Sequence, residues 1–94
     1  MFASVDDITI TYEEEGVEVI KEIDKVILSK GAWSTILFRY QQWAPAKNAY
    51  SEDKYSIRRY RKTGGEYRQQ SKFNISSPDQ AAQLADTLKS WLSE

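Results

Sequence analysis

The stretch that decides the fold is KYSIRRYRKTGGEYRQQSKFNISSPDQ, residues 54–80. Its opening alternates as a strand does: Tyr55, Ile57, Arg59 and Arg61 take one face, and Ser56, Arg58, Tyr60 and Lys62 the other. Neither face is uniformly apolar, so part of this strand looks toward water or a charged partner. Thr63-Gly64-Gly65 then predicts a hairpin turn, because glycine accepts positive φ without strain. A further strand is expected over residues 67–75. Ser77-Pro78-Asp79-Gln80 marks a helix start, with a capping hydroxyl, proline at the first helical position, an acid in the first turn and glutamine at the third. Beyond it Ala81, Leu84, Ala85, Leu88, Trp91 and Leu92 fall on one helical stripe, which reads as packing.

Outward from this stretch, WSTILFRYQQW (residues 33–43) is an unbroken run of β-branched and aromatic residues. Ile36, Phe38 and Tyr40 share one face; Trp33, Thr35, Leu37, Arg39, Gln41 and Trp43 share the other. Ile36, Leu37, Phe38 and Ile57 are expected in the core, and Trp33 fits either core or dimer packing. Residues 44–53, with Pro45 and Asn48, read as a loop. Residues 17–28, VEVIKEIDKVIL, stay open: Ile20, Ile23 and Ile27 have helical spacing, but half the segment is β-branched, as in strands. Ile8 to Tyr12 alternates like a short strand, and Glu13–Glu15 is a like-charge run that favours solvent. Residues 1–16 are therefore an acidic arm or an extra edge strand, ahead of one domain over 17–94. The sharper form of the arm competes with nucleic acid for a basic face. The expected class is α+β: a curved antiparallel sheet of four strands, five with the N-terminal one, then a single C-terminal helix.

Ninety-four residues hold one core, and a dimer that shares its core is a natural remedy for so small a chain. There is no Cys and no His, which removes disulfides, thiolate nucleophiles, histidine bases and the usual zinc sites. No Ser-x-x-Lys or glycine-rich phosphate loop appears. Neither an enzyme nor a cofactor or metal site is expected. The opening MFASVDD lacks the basic start and long apolar run of a signal peptide, and no apolar span is long enough for a membrane helix. The expected location is cytoplasmic, on the nucleoid in a bacterium.

Net charge is −1, yet the charges are segregated. Residues 1–29 carry eight acids against two bases, and residues 30–75 carry ten bases against three acids. The basic portion interleaves cations with rings: Phe38-Arg39-Tyr40, Trp43, Tyr55, Arg58 to Lys62, Tyr67-Arg68 and Lys72-Phe73. On a sheet such residues recur about every 7 Å along a strand. Cations there meet phosphates, and rings stack on unpaired bases for roughly 1–3 kcal/mol each. A duplex hides its ring faces, so the pattern favours single strands. The plain alternative is a charged edge that blocks strand aggregation, a task that one or two charges perform.

In this order and spacing the motifs resemble the C-terminal domain family of the transcriptional coactivator positive cofactor four, and within it the short bacterial members. Tyr55-Ser56-Ile57-Arg58-Arg59-Tyr60, the glycine turn, and Lys72-Phe73-Asn74-Ile75 leading into Pro78-Asp79-Gln80 carry the likeness, with Trp33, Arg39 and Trp43 on the preceding strand. It covers about residues 18–92. The resemblance implies a homodimer formed through the C-terminal helices, with single-stranded DNA held on the sheet surface. It implies DNA contact by Arg58 and base stacking at Trp43, matches Tyr60 to the family's following aromatic, and sets Lys72 by the family's Lys-Gly entry to the last strand. Ser56 replaces the family's usual Asp, Phe73 stands near an expected Gly, and Arg61 occupies a position where some members stack a Trp. The acidic first sixteen residues have no counterpart in the short members.

The combined expectation is sequence-tolerant binding of single-stranded DNA in a coactivator-like or DNA-maintenance role. Arg39, Arg58, Arg61, Lys62, Arg68 and Lys72 would position the backbone, and Trp43 and Tyr60 would stack. Single-stranded RNA is an alternative ligand. A module docking an acidic protein, such as a component of the transcription machinery, is the alternative of a different class.

Overall fold

The computed structural model describes residues 2–94. Its strands are β1 (Tyr12–Glu14), β2 (Val17–Ser29), β3 (Trp33–Ala44), β4 (Ala49–Tyr50), β5 (Lys54–Thr63) and β6 (Glu66–Ile75), followed by the helix α1 (Pro78–Leu92). They form one antiparallel sheet in the order β1-β2-β3-β5-β6, with β4 paired to the end of β3. The fold is α+β, a curled antiparallel sheet and one C-terminal helix. No helix among the described residues is long and apolar enough to cross a membrane.

The local signals act as chemistry requires. Gly64 and Gly65 have φ of 61° and 83°, the paired positive values of a tight hairpin. Ser77 Oγ accepts from the Gln80 amide at 3.1 Å, and Gln80 Oε1 accepts from the Ser76 amide at 2.6 Å. Both bonds satisfy amides at the helix start that lack helical partners. Residues 17–29 are a strand throughout. Two register shifts interrupt it, between Glu22 and Asp24 and between Ile27 and Ser29. Each extra residue resets which way the side chains point.

The two faces of the sheet differ. One is covered by residues 2–11, of which only Val5–Asp7 forms a regular element, a single 3₁₀ turn. Val5, Ile8 and Ile10 lie there with Ile36, Phe38, Tyr40, Tyr60 and Tyr67 in the core; Ile8, Ile36 and Phe38 are fully buried. Each such side chain contributes roughly 1.5–3 kcal/mol by leaving water. Polar ties fix the segment. Lys25 Nζ donates to the carbonyls of Asp6 and Ile8 at 2.7 and 2.6 Å, and Glu22 Oε1 accepts from Thr9 Oγ1 at 2.8 Å and from the Ile10 amide at 3.3 Å. The edge strand expected near residues 8–12 begins only at Tyr12. What precedes it lies across the sheet and closes the core.

The other face is open. Val26, Leu37, Ile57 and Phe73 stand in register across β2, β3, β5 and β6 as one apolar row. Val26 is 53% and Phe73 52% exposed. Leu37 and Ile57, expected in the core, are half-buried on this face because nothing among the described residues covers it. The helix is also unburied: Leu84, Leu88, Trp91 and Leu92 are all exposed, so Trp91 does not pack within the chain's own fold. The radius of gyration is 15.1 Å, against about 12 Å for a compact domain of this length. The molecule is one layer, 17 Å in its thinnest dimension, with apolar surface on its open side.

Candidate nucleic-acid interface

The segregation of charge along the chain becomes segregation across the sheet. The β1–β2 edge carries Glu13, Glu14, Glu15, Glu18, Glu22 and Asp24 against Lys21 and Lys25. At the other edge the β5–β6 hairpin carries Lys54, Arg58, Arg59, Arg61, Lys62, Arg68 and Lys72 against Glu66 alone. Among the described residues, only Arg68 of these seven cations lies within ion-pair distance of a carboxylate, Glu66 at 3.6 Å.

The eight expected contact residues do not share one surface. Arg58, Tyr60, Lys62 and Lys72 lie on the covered face; Arg39, Trp43, Arg61 and Arg68 lie on the open face. Along β5 the division is the plain alternation of a strand; along β6 it follows from a bulge. Arg59 pairs with Ser71 and Tyr60 with Gln69, so Gln70 is an extra residue that reverses the alternation of β6. Arg68 and Lys72, four residues apart, therefore point to opposite sides.

On the covered face Arg58 stands opposite Lys72. Its guanidinium is held from below: Nε donates to Ser56 Oγ at 3.2 Å and an η nitrogen to Gln69 Oε1 at 3.2 Å. Ser56 Oγ in turn donates to Asn74 Oδ1 at 2.7 Å. Beside Arg58 runs a groove of about 530 Å³, walled by Phe2, Ile10, Tyr60, Tyr67 and Gln69. Tyr60 is only 4% exposed, because the N-terminal segment lies against it; in this arrangement its ring is not available to a base. Burial raises its hydroxyl pKa above the ordinary phenol value, and the nearby Arg58 opposes that rise. Lys62 reaches over the Tyr67 ring, 5.6 Å from its centre.

On the open face two of the expected contacts are already engaged. Arg39 Nε meets Asp53 Oδ2 at 2.6 Å, and Gln41 Nε2 donates to Asp53 Oδ1 at 2.9 Å. The Gln41 and Arg39 bonds hold the Asp53 carboxyl below its usual range, and Asp53 raises the Arg39 pKa in return. Trp43 stands edge-on to Tyr50, with ring centres 5.1 Å apart, and shares a hollow with Glu14, Glu15, Val17, Val19 and Pro45. Carboxylates beside that ring oppose an approaching phosphate.

Two residues outside the expected set join the basic edge. Trp33 lies across the ladder from Arg61, which itself lies across from Arg68. The guanidinium carbons of Arg59 and Arg61 sit 4.5 and 5.4 Å from the Trp33 ring centre. The alternation of residues 55–61 placed Arg59 with Arg61, and that of residues 33–43 placed Trp33 on one face. Only the β3–β5 register joins the two sets.

Neither protein-family models nor curated proteins nor solved structures give a match to this chain.

Proposed function

We propose that the chain is a sequence-tolerant binder of single-stranded nucleic acid, with DNA as its ligand, and that it works as a homodimer. The observation that supports this best is the β5–β6 hairpin, where seven cations face one carboxylate and most have no ionic partner among the described residues. Opposing like charges on a sheet costs stability, so a surface that keeps them unpaired suits an anionic ligand. Phosphate contact falls to Arg58 and Lys72 on one face and to Arg61 and Arg68 on the other, with Lys62 near the turn. Arg39, neutralised by Asp53, is a weaker contact. Tyr60 supports the groove beside Arg58 instead of stacking. The exposed stripe of α1 and the apolar row Val26-Leu37-Ile57-Phe73 are the surfaces a second copy would cover.

The test is a titration with a ~20-nucleotide oligothymidine at several salt concentrations. Neutralising about five phosphates gives a log–log slope near −3 to −4. Binding that is absent at low salt, with the protein folded, would remove the proposal. Equal affinity for oligouridine would widen the ligand to RNA. The acidic-protein reading draws on the outer edge of β6, where, among the described residues, the only backbone bridge to another segment is between Tyr67 and Phe2. An extended acidic peptide could pair there.

A further inference from the structure

The tryptophan expected to stack on a base, Trp43, stands among carboxylates, while another exposed tryptophan stands among arginines. From this contrast, and resting on the nucleic-acid reading above, we infer that Trp33, flanked by Arg59, Arg61 and Arg68 on the open face, is the base-stacking platform.

Trp33 is 41% exposed at the start of β3, so part of its ring surface is open to a ligand. The guanidiniums of Arg59 and Arg61 lie against the ring, 4.5 and 5.4 Å from its centre. A guanidinium stacked on a ring keeps its N–H donors in its own plane, free to reach phosphate oxygens. The same contacts hold the indole in place before a ligand arrives, which lowers the ordering cost of binding. Arg68 lies directly across from Arg61, so three guanidiniums gather here, and among the described residues their one ion pair is Arg68 with Glu66 at 3.6 Å. A like-charged pair facing across a ladder is unfavourable until an anion separates it.

A single-stranded nucleotide unit supplies both halves of what this cluster can bind, a flat base for the indole and a phosphodiester for the arginines. Trp33 lies four residues along β3 from Leu37, roughly 13 Å. A partner helix of about 10 Å diameter laid over the apolar row would leave the cluster at its margin. Bound nucleic acid would then touch both sides of the β5–β6 edge, Arg58 and Lys72 on one and the Trp33 cluster on the other.

The chain's three tryptophans allow a direct test. In a protein carrying Trp43→Phe and Trp91→Phe, oligothymidine binding should quench the remaining Trp33 emission strongly and with saturation. Trp33→Ala should weaken oligothymidine affinity about 5- to 100-fold, with unchanged far-ultraviolet circular dichroism, while Trp43→Ala should change it less than twofold. An unquenched Trp33 in a protein that still binds, or full affinity in Trp33→Ala, would overturn the assignment and leave the nucleic-acid reading standing. Absence of salt-dependent binding by the unaltered chain would overturn both. Lys72→Gln separates the sites: it should lower affinity while leaving the Trp33 quench intact.

Discussion

Arg58 on β5 lies directly across from Lys72 on β6, on the same face, and neither is paired with a carboxylate among the described residues. Like charges placed so oppose folding by about 0.2–1 kcal/mol. The opposition also fills the surface with unneutralised charge. The two effects part company when one cation is removed.

Lys72→Gln should therefore raise thermal stability slightly, by up to about 1 kcal/mol, and weaken oligonucleotide binding. The log–log salt slope should become shallower by roughly 0.7, the share of one phosphate contact on a single strand. Melting curves and salt-dependent titrations of one sample measure both. A variant that melts lower and binds with an unchanged slope would make Lys72 a structural residue.

Glu22 is the polar anchor of the N-terminal segment, accepting from Thr9 Oγ1 and the Ile10 amide and donating its own amide to Thr11 Oγ1 at 3.2 Å. Glu22→Ala leaves the Ile10 amide without its partner at the margin of the core. The expected loss is about 1–3 kcal/mol, with amide exchange accelerated over residues 5–11 more than over β3 and β5. Uniform acceleration would mean that the segment opens only when the whole sheet unfolds.

The Arg39–Asp53 contact gives a pH signature. The Gln41 and Arg39 bonds depress the folded-state pKa of Asp53, so its contribution is present above the unfolded carboxylate value and fades as pH falls through the lower folded one. The unaltered chain should exceed Asp53→Asn in stability by a constant margin above about pH 5, narrowing below about pH 4. Denaturant midpoints from pH 2 to 7 measure it. A margin that grows on acidification would reverse the sign and rule out the ion pair as its source.

Much of this arrangement was legible in the residues, and what was not has definite physical causes. The β5–β6 hairpin and the helix start rest on backbone chemistry that acts locally: paired glycines at positive φ, and Ser77 capping Gln80. The strand at residues 17–29 was ambiguous because bulges near Ile23 and Leu28 break its alternation, leaving Ile20, Ile23 and Ile27 at a spacing that imitates a helix. The covering role of residues 2–11 was hidden for a different reason. Ile8 and Ile10 do point inward, as their alternation suggests, but side chains of Lys25 and Glu22 satisfy that backbone in place of a neighbouring strand. The alternation of β5 already separates Arg58 and Lys62 from Arg59 and Arg61, but the placement of Arg68 and Lys72 on opposite faces depends on the bulge at Gln70, whose polar surroundings give no pattern to break. Trp33 meets Arg59 only through a register between strands some twenty-six residues apart, beyond the reach of periodicity within either.

The remaining prediction concerns the open face. The apolar row Val26-Leu37-Ile57-Phe73 crosses four strands, about 14 Å at ordinary strand spacing. The stripe of α1 from Ala81 to Leu92 spans about 16 Å, and its Leu84, Leu88, Trp91 and Leu92 are exposed. The match in length suits a twofold dimer in which each helix lies across the partner's row. Leu88→Glu and Phe73→Glu should then each convert the protein to a monomer in sedimentation velocity. Far-ultraviolet circular dichroism should be retained, since neither side chain is buried in its own chain. A monomeric unaltered chain, or dimers in both variants, would remove the model. Dissociation by Leu88→Glu alone would mean that the helices pair with each other and leave the row to another partner. Dissociation by both variants would place the helix on the sheet, with the Arg59–Arg61–Arg68 cluster left uncovered at its margin.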